Sequence, residues 1–241
     1  MNISHKHKTI WWAPERCGTK ATAHIFNHFD FEYKGVPGNE VLPKSNQYQS
    51  HELTHPSNEY SEYNVICSIR NPYDRMLGIF LYFVSSGKSS VYFKDKHNLM
   101  VDNFTIFINE LFSHKEIKPK FGIESKRDKV ILNNYISKYN FDVTIPSNFI
   151  RMENIIEDIR KIDFIKNSTL LSSGYIDSFL SKNNYISSRP YKFNSVYTME
   201  TAKKVYEYHK QFFLTLGYDP FSFTTEELSN EEKMRFLHEI I

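Results

Sequence analysis

Two short segments carry the residues best suited to chemistry. The first, Arg16-Cys17-Gly18-Thr19-Lys20-Ala21-Thr22, follows a β-branched and aromatic run and precedes a helical pattern. A strand handing over to a helix presents free backbone N–H groups and the positive end of the helix dipole, so an anion is stabilised there. Gly18 lets a phosphate approach the backbone closely, Thr19 and Thr22 offer hydroxyls, and Arg16 and Lys20 supply charge on either side of the turn. The same residues also suit an ordinary strand-to-helix turn with a capping Thr and two solvated cations. The second segment is Arg70-Asn71-Pro72-Tyr73-Asp74-Arg75. It too follows a strand pattern and opens a helix, which puts Arg70 at the carboxyl edge of a sheet, where open α/β folds bind ligands. Alone it would suit a proline-initiated helix with Asp74 paired to a nearby cation.

Other chemistries fit less well. A nucleoside-triphosphate P-loop needs Gly, four residues, then Gly-Lys-Ser/Thr. The one Gly-Lys-Ser, Gly87-Lys88-Ser89, has Tyr82 at the required Gly position and reads as a loop. The histidine pairs His24/His28 and His51/His55 have the four-residue spacing that on a helix can hold a metal ion. A helix bearing Ile25, Phe26 and Phe29 more simply places His24 and His28 at its polar margin, so no metal is expected. Cys17, at a helix N-terminus between cations, could be a reactive thiol, but the better use of that position is its backbone N–H.

The elements that must position these residues can be read from periodicity. Thr9 to Ala13 is a strand stopped at Pro14, and Ala21, Ile25, Phe26 and Phe29 then recur at helical spacing. Residues 35 to 50 read as a loop, with a short strand near Tyr48 to Leu53. A second strand at Asn64 to Ile69 leads to a helix begun by Pro72, with Met76, Leu77, Phe80, Leu81 and Val84 on its apolar side. Between 88 and 145, helices are expected at Phe104 to Phe112 and Val130 to Tyr139. Phe149 to Met152 reads as a third strand, and Glu153 to Ile162 as the next helix. Met199 to Leu216 reads as one long helix stopped by Gly217, and Ser229-x-x-Glu232 has the spacing of a capping box ahead of a helical tail. Alternating strands and helices imply an α/β fold with a central parallel sheet flanked by helices, in one domain over 1–241.

The bulk properties bound the answer. The 241 residues suffice for a sizeable core, and 16% aromatic content supplies apolar surface to fill it. A net charge of +2 is too small for a nucleic-acid coat, while local basic clusters could still hold a compact polyanion. Two cysteines, Cys17 and Cys67, form no disulfide framework and suit a reducing compartment, and the polar start carries neither signal peptide nor membrane anchor. A cytoplasmic protein with no membrane partner is expected.

Together the two segments resemble the nucleotide-binding motifs of sulfotransferases that use 3′-phosphoadenosine 5′-phosphosulfate (PAPS), most closely the Golgi-type carbohydrate branch. Arg16 to Ala21 looks like the 5′-phosphosulfate loop. Val65 to Phe83 (VICSIRNPYDRMLGIFLYF) looks like the strand, turn and helix around the 3′-phosphate, and is the more specific match. Phe149 to Ile162, and Ser188 to Phe221 with its Leu216-Gly217-Tyr218 ending, agree in order and spacing. About half the chain is covered, and 88–145 is left as the variable acceptor-binding region.

The resemblance implies a P-loop-like three-layer fold, PAPS as co-substrate, adenosine 3′,5′-bisphosphate as product, and a hydroxyl acceptor, with a carbohydrate favoured by analogy. It implies a metal-free in-line displacement. Arg16, Cys17, Gly18, Thr19, Lys20, Ala21 and Thr22 would hold the donor's 5′ side. Arg70 would take the 3′-phosphate with Gly78, where relatives commonly carry Ser, and Arg189. Arg16 stands where many relatives carry a catalytic Lys. It can fork onto sulfuryl and phosphate oxygens but keeps its proton, so its part is electrostatic, shared with Lys20. An alcohol needs a general base, and His51 lies where the carbohydrate branch places one, with Glu52 and His55 as reserves. The competing functions are a nucleotide-dependent kinase and a catalytically inactive nucleotide-binding protein. The tail, 225–241, would pack on the domain or on a second subunit as a homodimer contact.

Overall fold

Thr9, Ile10, Trp11 and Trp12 are all buried, as a strand packed on both faces requires. The structure, a computed structural model, describes residues 2–14, 16–33, 60–83, 97–112, 146–182 and 192–238. The expected strand near Tyr48 to Leu53, the helix at Val130 to Tyr139 and most of the acceptor region lie outside those residues. Two compact units emerge. The first comprises Met1–Asn71 and Phe141–Ser188, the second Pro72–Asn140 and Arg189–Ile241.

The first unit is built on strands β1 (Asn2–Ser4), β2 (Thr9–Trp12), β3 (Glu32–Tyr33), β4 (Asn64–Ile69) and β5 (Asn148–Arg151), in the order β3-β1-β2-β4-β5. β2, β4 and β5 run parallel, with Trp12 opposite Cys67 and Ile69 opposite Arg151. β1 pairs antiparallel with both β2 and β3. The fold is therefore α/β with a mixed sheet, parallel where three strand-to-helix units meet and antiparallel at one edge. The polar start hides that edge from sequence reading, because Asn2 and Ser4 are buried alongside Ile3. A tight turn at His5 to Lys8, with Lys8 at φ +44°, folds β1 back on β2.

On one face of this sheet Trp11, Ile66 and Ile150 pack against α1 (Thr19–Phe26), and against the helices after β5: α4 (Ile155–Arg160), α5 (Asp163–Lys166), α6 (Thr169–Ser172) and α7 (Tyr175–Lys182). The Trp11 indole N–H donates to Ser68 Oγ at 3.0 Å, so the ring is buried with its one donor satisfied. On the other face Ile3, Ile10, Val65 and Tyr60 form a smaller cluster.

The second unit is helical. α2 (Pro72–Phe83), α3 (His97–Phe112), α8 (Met199–Tyr208), α9 (Lys210–Leu216) and α10 (Asn230–His238) enclose a core that includes Tyr73, Leu77, Phe80, Phe104, Val205, Phe213 and Phe236. Tyr73 donates to the Pro220 carbonyl at 2.7 Å, and Tyr197 donates to the Tyr73 carbonyl at 2.9 Å. The expected long helix over 199–216 is broken at His209 and ends as expected at Gly217, whose φ of +69° accompanies a Tyr218 N–H to Phe213 carbonyl bond of 3.1 Å. Ser229 and Glu232 form the reciprocal capping box, and α10 docks on its own unit through Phe236. Among the described residues no helix is long and apolar enough to cross a membrane.

Candidate functional site

Beyond Trp12 the chain leaves β2 through buried Ala13 and Pro14 and tightens as the Cys17 N–H donates to the Pro14 carbonyl at 3.1 Å. φ is positive at Arg16 (+66°), negative at Cys17 and positive at Gly18 (+72°) before α1 begins. Left-handed backbone at Arg16 and Gly18 thus brackets Cys17, and alternation of this kind is a feature of the concave backbone that holds anions in phosphate loops. An Arg with left-handed backbone is uncommon, and its strain of roughly 1–3 kcal/mol is the kind found at ligand-binding sites. Gly18 is the N-cap of α1 and has no side chain to occupy the first-turn N–H groups, and no acidic residue stands in that turn. Among the described residues the first turn itself therefore offers no charge to compensate the positive end of the helix dipole.

Gly18 is favoured by its φ, which disfavours any side chain, and a Cβ there would also displace the end of the Met152 side chain, whose Sδ would lie 2.0 Å away. Met152, just past β5, closes the floor of the loop. Thr22 is fully buried. Its hydroxyl donates to the Gly18 carbonyl at 3.2 Å and accepts from Ser68 Oγ at 3.4 Å, so it ties the cradle to β4 from beneath. Thr19 Oγ1, by contrast, is buried and has no hydrogen-bond partner among the described residues. A hydroxyl of that kind is costly unless something bonds to it.

Arg70, half-buried at the end of β4, donates from Nη1 to the Arg16 carbonyl at 3.3 Å. Next to it the Asn71 N–H donates to Glu153 Oε1 at 2.6 Å. The three parallel strands therefore end on one edge, joined by Arg16-Arg70 and Asn71-Glu153 contacts. The turn after β5 is rigid for a separate reason. Asp158, 3% exposed, accepts from the Arg151 N–H at 3.0 Å, from Arg151 Nε and Nη2 at 2.9 Å each, and from Lys161 Nζ at 3.1 Å. Burial would raise the Asp158 carboxyl, but these donors outweigh it and hold it below the ordinary carboxylate value.

Of the sequence-predicted residues, Arg16, Cys17, Gly18, Thr19, Lys20, Ala21, Thr22 and Arg70 are brought together on this edge of the first unit. Their parts differ. Lys20 is exposed, Ala21 is buried in the core beside the sheet, and Thr22 is engaged within the loop. The Cys17 N–H is already used by Pro14, and its thiol is fully buried. Gly78 is buried in α2 of the second unit. His51, Glu52, His55 and Arg189 lie outside the described residues. Met152 and Glu153, which the sequence places at the end of a strand and the start of a helix, carry no site role there, although their position just past a parallel strand is a readable signal. No protein-family model, curated protein or solved structure matches this chain.

Proposed function

We propose that the chain is a PAPS-dependent sulfotransferase acting on a hydroxyl acceptor, a carbohydrate by analogy, and that its α/β fold is P-loop-like and three-layered. The observation that carries this is the backbone cradle at Arg16 to Gly18 opening directly into α1, with Arg70 of the next parallel strand bonded to its rim. A nucleotide phosphate is held by backbone N–H donors at a helix start and by nearby cations, and α1 with Arg16, Lys20 and Arg70 supplies candidates for both. The unengaged Thr19 hydroxyl and the left-handed backbone that Gly18 adopts at the helix start suit an anion at that point.

Bound there, the donor supplies an activated sulfuryl group. The chain's own residues then have limited tasks. Arg16 and Lys20 stabilise charge on the 5′ side, Arg70 discriminates for a 3′-phosphate, and His51, with Glu52 and His55 in reserve, receives the acceptor's hydroxyl proton. The acceptor oxygen forms a bond to sulfur as the bond from sulfur to the 5′-phosphate oxygen breaks, releasing adenosine 3′,5′-bisphosphate. Calorimetry with adenosine 3′,5′-bisphosphate, AMP and ATP, each with and without Mg²⁺, tests this. Metal-independent preference for the bisphosphate is expected. Preference for Mg²⁺-ATP would establish the kinase alternative instead.

A further inference from the structure

The far end of α1 carries a second cluster. His24 lies in its last turn and His28 in the single 3₁₀ turn that continues it, Asn27–Phe29. Both rings face one atom of α7. His24 Nε2 is 3.0 Å and His28 Nε2 3.3 Å from Tyr175 Oη. The imidazoles stand 5.8 Å apart at 80°, and His24 lies flat on Phe179 at 3.9 Å, which sets its ring plane. A single phenolic proton can serve only one of two imidazole nitrogens as donor, so the other must donate to the oxygen. Three lone-pair donors thus converge from two helices at a point that His28 leaves open to solvent.

We propose that His24 Nε2, His28 Nε2 and Tyr175 Oη form a binding site for a divalent first-row transition cation of the Zn²⁺ type. Metal-to-ligand lengths of about 2.0–2.1 Å at a tetrahedral centre put neighbouring donor atoms about 3.3 Å apart, close to the two separations seen here. Imidazole nitrogen selects Zn²⁺, Cu²⁺ or Ni²⁺ over Mg²⁺ and Ca²⁺. On binding, the imidazoles carry their protons on Nδ1, the phenolic proton passes to solvent, and water completes the fourth position. The stacked Phe179 and the packing of α7 on the α1 side of the sheet hold the donors before the cation arrives, which reduces the ordering cost. Such a cation would brace the helix whose other end forms the phosphate cradle. The site takes no part in sulfuryl transfer and stands independently of that function.

The test is titration of the chelator-treated full chain with Zn²⁺ by calorimetry, with thermal unfolding in parallel. One equivalent should bind and raise Tm. His24→Gln and His28→Gln should each weaken that equivalent at least tenfold, and Tyr175→Phe several-fold. Because His28 is exposed, His28→Gln should unfold at the wild-type temperature in EDTA, which separates lost ligation from lost folding. Unchanged affinity in His28→Gln would place the cation elsewhere and overturn the proposal. Unchanged affinity in Tyr175→Phe would overturn the three-donor site, and the absence of any Zn²⁺-dependent rise in Tm would overturn it entirely.

Discussion

Arg70 has two roles to fill with one guanidinium. Its Nη1 supports the Arg16 carbonyl, and under the proposed function the same guanidinium also meets a 3′-phosphate. The family that the sequence resembles commonly carries a hydroxyl at the Gly78 position, so under the proposed function one neutral contact worth about 1 kcal/mol would be absent. Replacing Arg70 by Ala should therefore act unequally on two ligands. A hydrogen bond to a charged group is worth about 1.5–3 kcal/mol, so adenosine 3′,5′-bisphosphate should lose roughly ten- to a hundredfold in affinity. AMP should lose only a few-fold, through the loosened loop. Equal losses would mean that Arg70 acts solely by holding Arg16. At this scale the residue types were legible but their division of labour was not. Spacing marks Thr19 and Thr22 alike as hydroxyl donors to a ligand, whereas burial assigns Thr22 to the Gly18 carbonyl and leaves Thr19 available.

The elements are legible to different degrees. β2 and β4 stand out as largely apolar runs, β5 only as Phe149 and Ile150 between polar residues, and Pro72 and Gly217 mark a helix start and a helix end. Two features had no local signal. β1 is a short polar segment made a strand by pairing, and the break between α8 and α9 contains neither Gly nor Pro. That break sits at His209, 1% exposed, with Arg75 nearby in the same unit. Burial, reinforced by the Arg75 charge, pushes the imidazole well below its ordinary value of 6.5, so the folded unit holds it neutral. The unfolded chain takes up a proton there below about pH 6.5, and stability must fall as pH drops, by at most about 1.4 kcal/mol per unit for one proton. His7, held low by its own burial and by Lys6, acts in the same direction. Urea unfolding in EDTA at pH 7.5 and 5.5 should show a marked loss of stability in the wild type and a smaller one in His209→Gln. An identical loss in both would remove His209 as a source of the pH dependence.

For the molecule as a whole, α/β architecture was legible because strand and helix periods alternate three times before residue 163. The mixed sheet was not, since the antiparallel edge arises from a hairpin turn at His5 to Lys8 in a polar segment and from pairing with the more remote Glu32 and Tyr33. Nor was the division into two compact units, because the chain passes between them at Asn71-Pro72 without a linker composition. The cradle and Arg70 were both legible, as each lies directly after an apolar strand. Their contact was not, being 54 residues apart in sequence. Under the proposed function this edge transfers a sulfuryl group. Incubating the full chain with sulfur-labelled PAPS and a panel of hydroxyl acceptors, carbohydrates included, in the presence of EDTA tests it most directly. Label should pass to an acceptor with equimolar release of adenosine 3′,5′-bisphosphate, and Arg16→Ala should lower the rate at least a hundredfold. No release of the bisphosphate with any acceptor, alongside transfer of the γ-phosphate from Mg²⁺-ATP, would contradict it.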